Sequence, residues 1–406
     1  MYHRLNKPST SNSFFLFGPR GTGKSTWLQQ HFPEKSVLWF DLLIPEVEAD
    51  LRQAPSHIIE RWKALNPRPQ WIVIDEIQKI PALLDVVHHA IENEKIKFAL
   101  TGSSARKLRH GASNLLAGRA FVFNMHPLTH IELGQDFSLE WNMQWGGLPK
   151  IMQFSIQMQN NKQQNNEELI NECRRFLRAY TLTYLKEEIQ AEQLVRQIDA
   201  FHRFLPVAAQ CSGEILNYAR IAREARVDPK SVERYFDILS DTLIGFRLDA
   251  FHYSIRKRQM LKPKFYLFDL GVTRTLRGIV EIPVRVGTSE FGHIFEQFII
   301  LECFRFNDYM EKDFNFSYLR TKDDLEIDLI IERPGRKTLL VEIKSTDHIL
   351  SQDLYSLKTI GKDFGECERL LLCRELHARI VEEISILPWQ EGLRYIFDLQ
   401  PFLVTA

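Results

Sequence analysis

The stretch Gly18-Pro-Arg-Gly-Thr-Gly-Lys-Ser25 constrains this chain more than any other. It follows the apolar run Phe14–Phe17 and opens a helix-like segment at Thr26. Strand, glycine loop and helix therefore come in the order that a phosphate-binding loop requires. Glycines at this spacing let successive backbone N–H groups turn inward around an anion, and the following helix offers its positive end to the same point. Gly18, Pro19, Arg20, Gly21, Thr22 and Gly23 are expected to form the cradle, with Thr26 beside it. Lys24 is expected to reach the β- and γ-phosphates and Ser25 to ligate Mg2+.

A loop of this kind needs a buried strand ending in acids, and Trp71-Ile-Val-Ile-Asp75-Glu76 supplies one. Asp75 is placed to hold the Mg2+ shell, and Glu76 to orient and deprotonate the attacking water. A further strand, Val37–Phe40, lies between the two motifs. Another, Ile96–Thr101, ends in Thr101-Gly-Ser-Ser104. Thr101 and Ser103 are candidates to touch the γ-phosphate or the water; for the serine pair, capping a turn is the competing role. Arg119, in Leu115-Leu-Ala-Gly-Arg119, is the first candidate for an arginine finger and Arg106 the second. A plain surface ion pair is the alternative for either.

GPRGTGKST, WIVIDEIQ, FALTGSS and LAGR, followed by HPLTHIEL, resemble the AAA-type ATPases of bacteria and archaea that carry a C-terminal domain of unknown function 4143. The resemblance spans essentially the whole chain. It implies an additional-strand P-loop NTPase sheet, ATP rather than GTP as the nucleotide, and homo-oligomerisation.

Beyond the first 140 residues the texture changes. Gln157–Asn166 is too polar to pack and reads as an exposed loop or joint. From Glu167 to about Ala250 apolar residues recur at helical steps, as at Leu177, Tyr180, Tyr184 and Leu185. Gly213–Leu239 reads as helix, turn, helix, with Asp228 capping the second helix and Pro229 at its first position. The strand-like Leu243–Leu248 would then be the wing of a winged helix, a segment that often follows this type of ATPase. Lys230, Glu233 and Arg234 face outward with mixed sign. Arg256, Lys257, Arg258, Lys262 and Lys264 form a basic cluster expected to contact nucleic-acid phosphates, with a solvated charge run as the alternative.

The last third returns to strands, Phe316–Arg320, Glu326–Ile331, Thr338–Ile343 and Arg369–Cys373, after an apolar helix, Phe291–Phe304. Glu326-Ile-Asp328 and Leu340-Val-Glu342-Ile-Lys344 put acids on strands otherwise apolar, where burial is costly unless they face a site. Alternation groups Leu340, Glu342 and Lys344 on one face, with Val341 and Ile343 opposite. With Glu296 on the preceding helix, the order resembles the PD-(D/E)xK nuclease superfamily, although Ile327 stands where that family has proline. The resemblance implies that Glu296, Asp328 and Glu342 hold Mg2+ while Lys344 positions the nucleophile. The alternative is a nuclease-like fold kept for binding.

The expected architecture is thus α/β: an ATPase domain over 1–140, a helical, winged-helix-like middle over 141–250, and a nuclease-like α/β domain over 251–406. The expected function is a Mg2+-dependent ATPase, motor or switch, coupled to a domain that processes DNA or RNA. The competing reading is a regulatory switch whose inactive nuclease-like domain binds a protein partner. Lys plus Arg and Asp plus Glu are both 52, which excludes only a uniformly basic surface. Five cysteines without a C-x-x-C pair argue against a disulfide framework or a zinc site, so a reducing, cytoplasmic setting is expected. No apolar run approaches the ~20 residues of a membrane span, and no membrane partner is expected.

Overall fold

The computed structural model describes residues 2–33, 36–103, 116, 118–160, 166–184, 198–253 and 261–399. Its first sheet has five parallel strands: β1 Ser13–Phe17, β2 Val37–Asp41, β3 Trp71–Asp75, β4 Lys97–Gly102 and β5 Ala120–Asn124. Their spatial order is β2-β3-β4-β1-β5. β4 is inserted between the phosphate-loop strand and the strand ending at Asp75, which is the additional strand that the resemblance implied. Side chains of β1 alternate between two cores. Phe15 and Phe17 pack with Ile72, Ile74 and Leu100, while Phe14 and Leu16 pack with Trp27, Leu28 and Val73. A parallel sheet covered on both faces has no polar side, which is why these strands read as continuous apolar runs.

The middle begins with helices Leu139–Trp145, Pro149–Asn160 and Asn166–Ala179. The first of the polar residues expected in a loop, 157–160, instead form the last turn of a helix. Gln157 and Gln159 are exposed there, so their polarity is met by solvent. Helices Ile198–Gln210, Tyr218–Ala225 and Pro229–Asp241 follow. Asn217 and Asp228 cap the last two, accepting from the backbone N–H of Arg220 and Ser231. Ile221, Ala222, Ala225, Val232, Tyr235, Phe236 and Leu239, spaced at three- and four-residue helical steps, are buried in one cluster.

The hairpin after them is β6 Gly245–Ala250 and β7 Lys264–Leu267. It spans residue 250, where the sequence suggested a division. β6 also pairs in parallel with β8 Asn315–Arg320, so the hairpin is continuous with the C-terminal sheet. That sheet runs β12-β13-β11-β10-β9-β8-β6-β7. β9 is Glu326–Glu332, β10 Thr338–Ile343, β11 Cys367–Cys373, β12 Arg379–Val381 and β13 Ile384–Pro388. Helix Ser289–Tyr309 covers one face, against Leu329, Leu339 and Val341. Helix Tyr355–Asp363 belongs to the opposite core, with Leu340 and Leu371. The sequence anticipated β8 to β11; β12, β13 and the last helix, Trp389–Phe397, it did not.

Close approach fixes how helix Leu270–Leu276 sits on the middle. A Cβ at Gly271 would collide with the Trp145 carbonyl. The wholly buried Asp269 accepts from the N–H of Val272 at 3.0 Å and of Gly147 at 2.8 Å, capping one helix and tying it to the end of another. Among the described residues no helix is long and apolar enough to cross a membrane.

Candidate functional sites

The glycine loop adopts the turn its residues allow. Gly21 and Gly23 have φ of 78° and 98°, open at no cost only to glycine. A Cβ at Gly18 would strike the Met125 carbonyl. Lys24 is buried, and its ammonium donates to the carbonyls of Gly18 at 2.7 Å and Pro19 at 3.2 Å. Thr22 Oγ1 also donates to Pro19, at 2.8 Å.

The acids lie two strands away. Thr101, at 0 % exposure, donates its hydroxyl to Asp75 and accepts the N–H of Glu76 at 3.0 Å. One hydroxyl thus sets both acids. Glu76 sits in the left-handed region, φ 61° and ψ 46°, a conformation uncommon for a side-chain-bearing residue and typical of functional turns. Its carboxylate accepts from the amide of Gln78, which also reaches Ser103 Oγ at 3.2 Å. Gln78 stands two residues after Glu76; a motif reading that stopped at the acids passed over it.

Two side chains from outside the sheet hold the loop. Tyr180 donates to the Arg20 carbonyl at 2.8 Å. Arg4 donates to the Thr22 carbonyl at 3.3 Å, to the His126 carbonyl at 2.5 Å and to Tyr309 Oη at 2.8 Å, and pairs with Glu132 at 3.0 Å. Neither role carries a local sequence signal, because the partners are remote in the chain.

A second cluster lies in the C-terminal sheet. The β9–β10 register pairs Leu340 with Ile330 and Val341 with Leu329, and its next step sets Glu342 opposite Asp328. Between the Ser317–Ile330 and Leu319–Ile327 pairs, β9 places Asp328 and Leu329 opposite Tyr318 alone. Such a bulge re-aims a side chain. Asp328 Oδ2 accepts the N–H of Ile343 at 2.7 Å, and Lys344 donates to Glu342 Oε1 at 2.7 Å. Glu342 Oε2 is buried without a hydrogen-bond partner. Burial first, then neighbouring acids, push Asp328 up to about 7 and Glu342 up to about 8, and Glu296 moves the same way.

Lys264 does not lie on an exposed phosphate-binding face. It is 4 % exposed, and its ammonium reaches Glu326 at 2.5 Å and Glu296 at 3.3 Å. Burial alone would lower its pKa, but Glu296, Tyr266, Asp328 and Glu326 raise it, so it is a fixed cation. Among the described residues no three acid, histidine or cysteine side chains converge as a metal site. Glu296, Asp328 and Glu342 come together as neighbours, yet not as the Mg2+ set expected of them. Glu296 is turned to Lys264, Asp328 to the backbone and Glu342 to Lys344.

Residues 10–134 match the family model described as an AAA domain, and residues 291–391 match that of a domain of unknown function, DUF4143. The chain combines an AAA domain with a C-terminal DUF4143 domain. Between them, residues 138–282 match another domain of unknown function, DUF8612. Uncharacterised proteins of Mycobacterium bovis (Mb2031c) and Mycobacterium tuberculosis (Rv2008c) are each 28% identical over 332 residues, 79% of this chain and 68% of theirs. Solved structures with some likeness include the Aeropyrum pernix ORC1 protein in complex with DNA, at 13% identity and a TM-score of 0.32 over 66% of this chain and 86% of that one. Domain III of the Thermotoga maritima replication initiation protein DnaA has 15% identity and a TM-score of 0.27, over 39% and 82%. At such scores the fold rests on the strand order itself.

Within the AAA domain, Ser25 follows Lys24 as the second residue of the loop helix Lys24–His31, and Thr26 is exposed on its first turn. Arg119 precedes edge strand β5 and pairs with Glu92 of helix Leu83–Asn93 in the same chain. Arg106 and Ser104 lie outside the described residues, as do Arg256, Lys257 and Arg258. In the middle, Lys230, Glu233 and Arg234 are exposed on the second helix of the pair.

Proposed function

We propose that this protein is a Mg2+-dependent ATPase that works as a switch on its C-terminal domain. The observation that carries the reading is the Thr101 hydroxyl shared between Asp75 and Glu76, opposite a glycine loop with a buried lysine. Mg2+ bound with ATP would neutralise phosphate charge, and Ser25 and Asp75 are the residues to hold it. Lys24 has an ammonium ready to exchange loop carbonyls for phosphate oxygens, which are stronger, charged acceptors. Glu76, placed one residue past the strand end, takes the proton of the attacking water. Arg119 is proposed as the finger offered across an oligomer interface, where it would first have to leave Glu92. The test is steady-state ATP hydrolysis by the full chain. Lys24→Ala should abolish binding, and Glu76→Gln should bind ATP without turnover. Undiminished hydrolysis by Glu76→Gln would refute the assignment.

For the C-terminal domain we favour a nuclease-type, nucleic-acid-processing role over an inert docking fold. The support is the order helix, three antiparallel strands, helix, parallel strand, with Asp328, Glu342 and Lys344 drawn together at one end. Labelled single- and double-stranded DNA, incubated with Mg2+ or Mn2+ with and without ATP, separates the readings. Cleavage lost in Glu342→Ala, or ATPase stimulation by DNA, supports the role. If neither occurs and a protein is instead captured in a nucleotide-dependent way, the domain is a docking module.

A further inference from the structure

We propose that Lys264 is the resident cation of the C-terminal acid site, and that the site takes a divalent cation only when strand β7 withdraws that lysine. The proposal rests on reading the acid cluster as a cation site, and extends it to what governs access.

Lys264 belongs to the wing hairpin, outside residues 291–391 that match DUF4143, yet its ammonium is inserted among that domain's acids. It also lies over the Tyr318 ring, 5.4 Å from the centroid. Four carboxylates, Glu296, Glu326, Asp328 and Glu342, influence one another here, with Lys264 and Lys344 as the counter-charges within the cluster. Carboxylate is therefore in excess over ammonium. The unpartnered, buried Glu342 Oε2 is the atom that this excess leaves without a bond. A buried carboxylate oxygen without a partner is costly, and a hard cation is the ligand that such oxygens hold. Lys264 prevents this in the present state, because its ammonium holds the Glu296 carboxylate at 3.3 Å and supplies the positive charge that the cation would bring.

The lysine is also mechanically connected. β7 lies between β6 and the segment that leads into the helix pair: Gly213 N–H donates to the Phe265 carbonyl at 2.8 Å and Leu216 N–H to the Pro263 carbonyl at 2.9 Å. A shift of the helix pair therefore pulls on both flanks of Lys264. That makes the helical middle the element through which a ligand on its surface, or a nucleotide at the loop that Tyr180 touches, could open the acid site.

Mn2+ binding to the full, nucleotide-free chain, read by electron paramagnetic resonance, tests this. All proteins carry Asp75→Asn, so that the AAA-domain site contributes nothing. Lys264→Met should bind Mn2+ at least about tenfold more tightly than the parent, since it removes a competing cation. Adding Glu342→Gln should return binding to the parent level, and Lys264→Arg should stay there. Lys264→Gln, which keeps a donor for Glu296, provides a second folded protein if Lys264→Met does not fold. Equal binding by the parent and the Lys264 variants would overturn the gating and leave the cation site standing. No binding by any folded variant would overturn both.

Discussion

The Tyr180 hydroxyl donates to the carbonyl of Arg20 across 2.8 Å, so the helical middle rests directly on the phosphate loop. Tyr180→Phe keeps the ring against Phe268 and removes the hydroxyl that makes this bond. A neutral hydrogen bond contributes about 1 kcal/mol, which predicts ATP binding weaker by about fivefold with kcat little changed. Titration with a fluorescent nucleotide beside steady-state ATPase separates the two quantities. An unchanged Kd would mean that the contact only supports the fold.

Thr101→Val should be far more damaging to turnover. The substitution preserves shape but removes the donor to Asp75 and the acceptor for the Glu76 N–H. General-base catalysis is worth about 10²–10⁴-fold, so losing the position of Glu76 predicts a fall in kcat of about 10²-fold. The Kd for ATP should stay within a few-fold, and single-turnover hydrolysis beside equilibrium binding measures both.

Arg4 joins the loop carbonyl of Thr22 to Glu132, His126 and Tyr309, and is 8 % exposed. Removing one member of a buried ion pair costs about 3–5 kcal/mol, because the partner charge is left behind. Arg4→Ala should therefore shift the denaturation midpoint strongly. Arg4→Lys should recover only part, since a point ammonium cannot serve so many directions at once.

The acid cluster makes stability depend on pH. Asp328 moves from 3.8 to about 7 and Glu342 from 4.5 to about 8, so between those limits the folded chain holds protons that the unfolded chain has released. Stability should fall as pH rises through about 4 to 8 and level off above. Thermal unfolding followed against pH checks this. Asp328→Asn should flatten the slope; a slope that persists unchanged would place its origin elsewhere.

What could be read from the string was what is local in it. Gly18 to Ser25 and Trp71 to Glu76 are contiguous, so the strand, loop and helix that carry them were legible. The order in which β4 slips between β1 and β3 came from the family likeness. Arg4 and Tyr309 are separated by 305 residues, and nothing near Arg4 announces its partner. Lys264 was misread for a physical reason: it ends a basic run that looks solvated, and the four-residue β7 is too short for its alternation to be recognised. The bulge at Asp328 was equally invisible, since a register shift is a property of two strands.

The pairing of β6 with β8 also bears on how such a chain can be inherited. Family matches break between residues 282 and 291, which on paper invites exchange of one module for another. Yet the strands on either side of that break zip together through Asp249–Ser317 and Ala250–Tyr318. A recombinant that swapped the C-terminal part alone would leave an open strand edge, a template for aggregation. The β6–β7 hairpin and the acid site should therefore travel through descent as one cassette, changing in step at the residues that face each other.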